Sequence, residues 1–296
     1  MSAASVVDPR PVTAATSGIA VSEAGGAPLR RYLGTPEINQ IDPFVLLDWF
    51  ESEPGSPTAG FAPHPHRGFE AVTLMFEGEM QHRDNRGHAG VVGPGGLQWL
   101  RAGSGIIHGD LPKSPDGRLF GLQLWVNLPA AEKADEPSYI NIAAAEVPRE
   151  RRDGVEIRVL AGMTDAGTRG LVAGKSTEPV IYDVALLDGA VFSEGLPQTH
   201  NAFIAVIEGG VELTDAEGRP VTASRGTLLR LGPGRSVVVR ALAEARFLLV
   251  AGKPIGEPVV RGGPFVMASR ADVLQAFRDY QEGRFGPPIS TSGAVS

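Results

Sequence analysis

The sequence predicts an all-β protein of two antiparallel β-barrel domains, with one short helix near the C-terminus. Three observations carry this. The chain has 296 residues, which divides naturally into two domains at about 100–200 residues each. Its 38 glycines and 24 prolines suit many short strands joined by tight turns better than a helical protein. And the halves echo each other. Thr73-Leu74-Met75-Phe76-Glu77-Gly78-Glu79-Met80 resembles Ile204-Ala205-Val206-Ile207-Glu208-Gly209-Gly210-Val211, and Val92-Gly93-Pro94-Gly95 resembles Leu231-Gly232-Pro233-Gly234. That reads as two copies of one barrel unit, the second carrying a longer insert between its motifs.

The elements follow in order. Residues 1–17, rich in Ala, Ser and Pro, read as a lead-in. The first domain spans 18–135. Ala71–Phe76 reads as a strand with a turn at Glu77-Gly78-Glu79, Asp84-Asn85-Arg86-Gly87 as a second turn, and Leu97–Leu100 and the alternating Gly121–Leu128 as further strands. The charged, Ala/Pro-rich stretch Ala130–Arg152 joins the domains. The second domain spans 136–290 and includes the helix. Ser269-Arg270-Ala271-Asp272 resembles a capping box. Val273, Phe277 and Tyr280 follow at helical spacing, and Gly283 stops the run.

Composition excludes several classes. A net charge of −7 gives no general attraction for phosphates, so direct nucleic-acid binding is not expected. No run of 18 apolar residues suggests a membrane helix. Met1–Arg10 lacks the pattern of a secretory signal, and a cytoplasmic location is expected. The absence of cysteine removes disulfides, thiolate ligands and cysteine nucleophiles.

Chemistry concentrates in the histidines. Of six, five (64, 66, 82, 88, 108) lie within residues 64–108, and His200 stands alone. His64-Pro65-His66 places two imidazoles at i and i+2, on one face of an extended segment. Pro65 favours the extended conformation at His64. His108-Gly109-Asp110 repeats that spacing with an imidazole and a carboxylate. Two such pairs from opposite walls would surround a cation with three nitrogens and one oxygen, a set that suits Fe(II) among other transition metals. Isolated, each pair is equally compatible with surface histidines. His82 and His88 flank the Asp84–Gly87 turn and read as structural, one of them able to orient a ligand. His200 reads as a surface or hydrogen-bonded histidine. Ile106, Ile107, Leu97 and Trp99 read as core packing.

These residues resemble the pirin family. The similarity runs through His64-Pro-His66-Arg-Gly-Phe-Glu70, Glu77-Gly78, Gly93-Pro94-Gly95, Gln98-Trp99, Ala102-Gly103-Ser104-Gly105-Ile106-Ile107-His108 and Gly121–Leu128. It continues in Gly252-Lys-Pro-Ile-Gly-Glu-Pro-Val259 and Gly263-Pro-Phe-Val-Met267, and covers roughly residues 18 to 286. The resemblance implies a bicupin: two double-stranded β-helix (jelly-roll) barrels, with one divalent metal in the first only. Iron(II) is the expected ion, with Cu, Ni, Zn, Mn or Co as alternatives. The implied ligands are His64, His66, His108 and, at a position where the family has glutamate, Asp110. Aspartate is one methylene shorter, so the fourth corner is open to a water or a shifted backbone, and Glu70 is a candidate substitute. Asp110 could act as a base only if it is not tied to the metal.

The function so implied is oxidative ring opening of a flavonol-like aromatic substrate by O2, as in quercetin 2,3-dioxygenase. The alternatives are a metal-dependent regulator that binds a transcription factor or metabolic enzyme, and an inactive scaffold.

Overall fold

The protein is described by a computed structural model covering residues 8–22, 28–53 and 60–289. The strands of the large sheets include long continuously buried runs, as in Phe44–Phe50 and Phe69–Met75, while some strands of the small sheets, such as Glu79–Asp84, alternate buried and partly exposed residues. In chain order the strands are β1 (Val12–Thr16), β2 (Ile19–Ser22), β3 (Pro28–Leu33), β4 (Phe44–Ser52), β5 (Phe61–His66), β6 (Phe69–Glu77), β7 (Glu79–Asp84), β8 (Ala89–Val92), β9 (Leu97–Arg101), β10 (Ile106–Lys113), β11 (Leu119–Asn127) and β12 (Ser138–Ile142). They continue with β13 (Arg149–Arg152), β14 (Val155–Ala161), β15 (Val180–Leu186), β16 (Val191–Gly195), β17 (Asn201–Glu208), β18 (Gly210–Thr214), β19 (Pro220–Ser224), β20 (Leu228–Leu231), β21 (Ser236–Ala241), β22 (Ala245–Gly252), β23 (Val260–Gly262) and β24 (Phe265–Met267), before the helix α1 (Arg270–Gln281).

Two compact units result. The first takes the described residues of 19–146 and 255–289; the second takes 8–18 and 147–254. The first contains a seven-stranded sheet, β12-β9-β6-β11-β4-β3-β2, and a four-stranded sheet, β5-β10-β7-β8. The second contains the same pattern, β1-β20-β17-β22-β15-β14-β13 and β16-β21-β18-β19. All these strand pairs are antiparallel, and each large sheet packs apolar side chains against its small one: Phe50 and Met75 meet Met80 and Val92 in the first unit, Phe247 and Ile204 meet Val237 and Leu213 in the second.

The duplication is therefore real, but one of its motifs aligns differently from the sequence reading. Gly93-Pro94-Gly95 joins β8 to β9, whereas Gly232-Pro233-Gly234 joins β20 to β21. The counterpart of Gly95 is Gly226. Both have φ near +80°, where glycine avoids the Cβ penalty, and their N–H groups donate to Met75 O (2.7 Å) and Val206 O (2.9 Å). From Gly78 to Gly95 and from Gly209 to Gly226 the spacing is equal, so there is no longer insert.

Two segments also sit elsewhere than expected. Val12–Thr16, read as lead-in, is an edge strand paired with β20; residues 1–7 lie outside the described residues. The C-terminal helix, expected with the second domain, belongs to the first unit, as does β12, which pairs with β9. The helix itself forms as its capping signal predicts: Ser269 Oγ accepts the Asp272 N–H at 3.1 Å, a cap that contributes about 1 kcal/mol. Val273 and Ala276 are buried, and Ala276 packs with Phe265, Phe285 and Ile107. Arg67 fixes the helix from outside through Asp279 at 2.6 Å and lies 4.3 Å over the Phe285 ring. Among the described residues no helix is long and apolar enough to cross a membrane.

Candidate metal centre

β5 and β10 are antiparallel neighbours, and their register sets His108 opposite His64 and Ile106 opposite His66. The three imidazoles converge, with ring centres 4.4 to 4.9 Å apart. His66 and His108 are buried and His64 is half-buried. Phe69 and Trp125 wall the His66 ring at 4.9 and 5.1 Å.

The hydrogen bonds fix the tautomers. His64 Nδ1 meets Ala62 O at 2.8 Å, and His66 Nδ1 meets Pro264 O at 3.2 Å. A carbonyl only accepts, so both Nδ1 atoms donate, and each Nε2 presents a lone pair in the neutral ring. Burial, reinforced by His64 and His108, holds the His66 pKa well below the ordinary histidine value, which keeps the ring neutral. Those two Nε2 atoms lie 3.1 Å apart. Facing lone pairs repel unless a cation lies between them, and two bonds of about 2.1 Å at a right angle would put the nitrogens about 3 Å apart. Neither ring nitrogen of buried His108 makes a hydrogen bond among the described residues, with Asp110 3.3 Å from Nδ1. A buried imidazole whose Nε2 is unpartnered, beside the Nε2 atoms of His64 and His66, fits a metal ion.

Asp110, the fourth expected ligand, shares His108 with the three-histidine group: its carboxylate converges with His108 and His82 in a second group of donors that could hold a metal. The register β10–β7 sets Asp110 opposite His82, and Asp110 Oδ1 accepts from His82 Nδ1 at 3.0 Å. The other oxygen lies 3.3 Å from His108 Nδ1. Burial alone would raise the Asp110 pKa, but His108 and His82 hold it far below the carboxylate range. Burial likewise opposes charge on His82, yet Asp110 and Asp84 outweigh it and raise its pKa to about 9. His82 is therefore a buried cation at neutral pH, stacked on Tyr139 at 4.3 Å and donating through Nε2 to Asp84 Oδ2 at 3.2 Å. Asp84 in turn accepts from His88 Nδ1 at 2.8 Å and from the Arg86 and His88 backbone N–H groups.

So the Asp84–Gly87 turn does more than close a hairpin. It ends a chain of contacts running His108–Asp110–His82–Asp84–His88, from the three-histidine cluster outward. The sequence named His82 and His88 but not Asp84. The signal lay in the parity of β7, where His82 and Asp84 share the face opposite Asp110 and His108.

Glu70, the expected substitute ligand, is not brought to the histidines. It alternates with Phe69 and Ala71, which face the cluster, and lies outside both groups of convergent donors. Leu97, Trp99, Ile106 and Ile107 are buried packing residues, as read. His200 is buried rather than at the surface, its ring 3.7 Å from Glu178.

Beside His64 and His66 opens a cavity of about 570 Å³, with Phe50, Phe61 and Trp125 among its apolar walls and Arg31, Asp48, Gln123 and Arg261 as polar ones. Lys133 secures its rim. The buried ammonium donates to Gly68 O (2.7 Å), Val266 O (3.0 Å) and Asn127 Oδ1 (2.6 Å), tying down the segment whose Pro264 carbonyl orients His66; burial pushes its pKa down to about 8.

The fold and this site define a protein of two cupin domains with a candidate metal centre in the first. Comparison with known proteins names the family. Residues 26–126 match the Pirin family and residues 181–286 the Pirin C-terminal cupin domain. The chain is 47% identical over 278 residues to a pirin-like protein of Caulobacter vibrioides, covering 93% of this chain and 99% of that one. It is 39% identical to human pirin over 269 residues, covering 90% of each. A crystal structure of quercetin 2,3-dioxygenase from Acinetobacter baumannii superposes with a TM-score of 0.83 at 30% identity, covering 94% of this chain and 99% of the other. The chain belongs to the pirin family.

Proposed function

We propose that the chain is a metal-dependent dioxygenase that opens a flavonol-like ring with O2, using one ion held by His64, His66 and His108. The observation that carries this is the convergence of His64 Nε2 and His66 Nε2, 3.1 Å apart, with the buried His108 ring, whose Nε2 has no hydrogen-bond partner among the described residues, beside an aromatic-walled cavity. In this reading each unit is a jelly-roll barrel, with the metal in the first. Iron(II) is the ion we favour, because neutral imidazoles with a nearby carboxylate suit it. When bound, the ion supplies Lewis acidity and a docking point for substrate oxygens and O2.

The chain's own residues do the rest. Phe50, Phe61 and Trp125 give a planar aromatic ligand apolar surface and exclude water. Pro264 and Ala62 hold the His66 and His64 rings in the Nδ1–H tautomer. Asp110 stands beside His108 Nδ1 and orients that ring while His82 balances its charge. Both its oxygens are engaged, one by His82 and the other beside His108, so in this reading Asp110 is a positioning residue rather than the base.

The test is oxygen uptake with quercetin by the iron(II)-loaded protein, against His66→Ala prepared identically. Uptake in the wild type that the variant loses supports the reading. Full metal occupancy without uptake on any flavonol contradicts it.

A further inference from the structure

Among the described residues that line the cavity beside the histidines, two guanidiniums, Arg31 and Arg261, meet one carboxylate, Asp48. Arg31 engages Asp48 through two parallel bonds, Nε to Oδ1 at 2.8 Å and Nη2 to Oδ2 at 2.7 Å. Arg261 has no carboxylate. Its Nη1 donates to Val45 O at 3.0 Å and its Nη2 to Asn39 Oδ1 at 2.7 Å, both neutral acceptors. Gly34 makes room for it: φ is +90°, and a Cβ there would overlap the Arg261 guanidinium. Arg261 is half-buried; burial and the neighbouring Arg31 lower its pKa, and the attraction of Asp48, itself paired with Arg31, offsets this only in part. The cation is held in place by backbone and amide, with no carboxylate bonded directly to it among the described residues.

Arg261 also stands close to the reacting end. It lies three residues before Pro264, whose carbonyl orients His66, so its backbone is within about 10 Å of that residue. A ligand of two or three fused or linked rings spans such a distance, and the volume of about 570 Å³ holds one.

We propose that the preferred substrate is an anionic aromatic compound, one whose carboxylate or equivalent acidic group pairs with Arg261 while its oxygens at the other end face His64 and His66. The inference rests on the metal-centre reading above, which fixes where the reacting end sits. A neutral flavonol would then be accepted but would leave the Arg261 charge unanswered.

The probe pair is 3-hydroxyflavone bearing a 4′-carboxylate and its methyl ester, nearly equal in size and differing in charge. Binding to the metal-loaded protein is followed by quenching of tryptophan fluorescence, to which Trp125 in the cavity wall contributes. A charge-assisted, bidentate pair predicts that the acid binds at least about tenfold tighter than the ester. Arg261→Met should bring the acid down to the affinity of the ester and leave the ester unchanged, and retained ester binding shows that the variant cavity is intact. Should the variant not fold, Arg261→Lys, which keeps the charge but loses the fork, should retain part of the preference. Equal binding of acid and ester to the wild type, or a preference that survives Arg261→Met, overturns the inference and leaves the dioxygenase reading standing. Failure of both probes to bind overturns the two together.

Discussion

The two units share a topology and fill it with opposite chemistry. Strand order and register align them residue by residue, with Gly78 on Gly209 and the same bulge just before it, at Phe76 in β6 and Ile207 in β17. Across the large sheet of the first unit the inner row reads Arg31, Asp48, Gln123, Thr73, Gln98. The same row in the second reads Val159, Tyr182, Leu249, Ile204, Leu229. On the small sheets, His66, His82, His108 and Asp110 correspond to Leu196, Leu213, Val237 and Val239. Only His64 meets a polar counterpart, Glu194, which is buried and already engaged by Arg152 at 2.5 Å and by the Asp165 N–H. The second unit thereby gains one continuous apolar core, while the first divides its apolar residues into separate clusters around polar groups. One backbone supports either outcome; the inward positions decide which.

Writing the second unit's residues into the first breaks the contrast most severely. His66→Leu combined with His108→Val should abolish metal binding, read by elemental analysis, while the melting temperature of the metal-free protein stays level or rises, since buried polar groups give way to apolar ones of similar volume. A large drop in that temperature would mean the histidines hold the fold rather than an ion. His82→Phe keeps the stack on Tyr139 but takes one partner from each of the buried carboxylates Asp84 and Asp110. Denaturation at neutral pH should show a loss of about 1–3 kcal/mol, and metal affinity should fall about 10–100-fold as Asp110, and with it His108, loses its orientation.

The reverse exchange is milder. Leu249→Gln writes the Gln123 side chain into the apolar row, where its amide has no partner. It should cost about 1–3 kcal/mol and leave metal content unchanged. The smallest effect lies outside both rows. The hydrogen bond from Arg67 holds the Asp279 pKa at about 2, below its ordinary 3.8. A carboxylate with a depressed pKa stabilises fully above its unfolded value and loses that contribution as pH falls through the folded one. Asp279→Asn should therefore lower stability modestly at neutral pH and flatten the profile between about pH 4 and pH 2, so that variant and wild type converge at the acid end; an unchanged acid limb would show that the ion pair does not anchor the helix.

How far the sequence discloses this site follows from where each signal sits. His64, His66 and His108 are legible because i, i+2 spacing on a strand puts side chains on one face, and the glycines beside them mark a constrained backbone. The helix cap at Ser269 is legible because it is local. The partner of Asp110 is not, because His82 reaches it across a strand pair whose register no short motif encodes. The same holds for Arg261, which comes to the cavity from 197 positions beyond His64. The glycine-proline-glycine echo misleads for a related reason: one string of residues closes different connections in the two units, while Gly95 and Gly226, which do correspond, share only a positive φ and one backbone bond.

The most direct test is X-ray absorption at the metal edge of the iron(II)-loaded protein, recorded for the wild type and for Asp110→Asn. Three imidazole nitrogens around the ion, with a first coordination sphere unaltered by the substitution, is the result predicted here. Fewer than three imidazoles, or a carboxylate oxygen that disappears in Asp110→Asn, would contradict the assignment of Asp110 to His82 and return it to the metal.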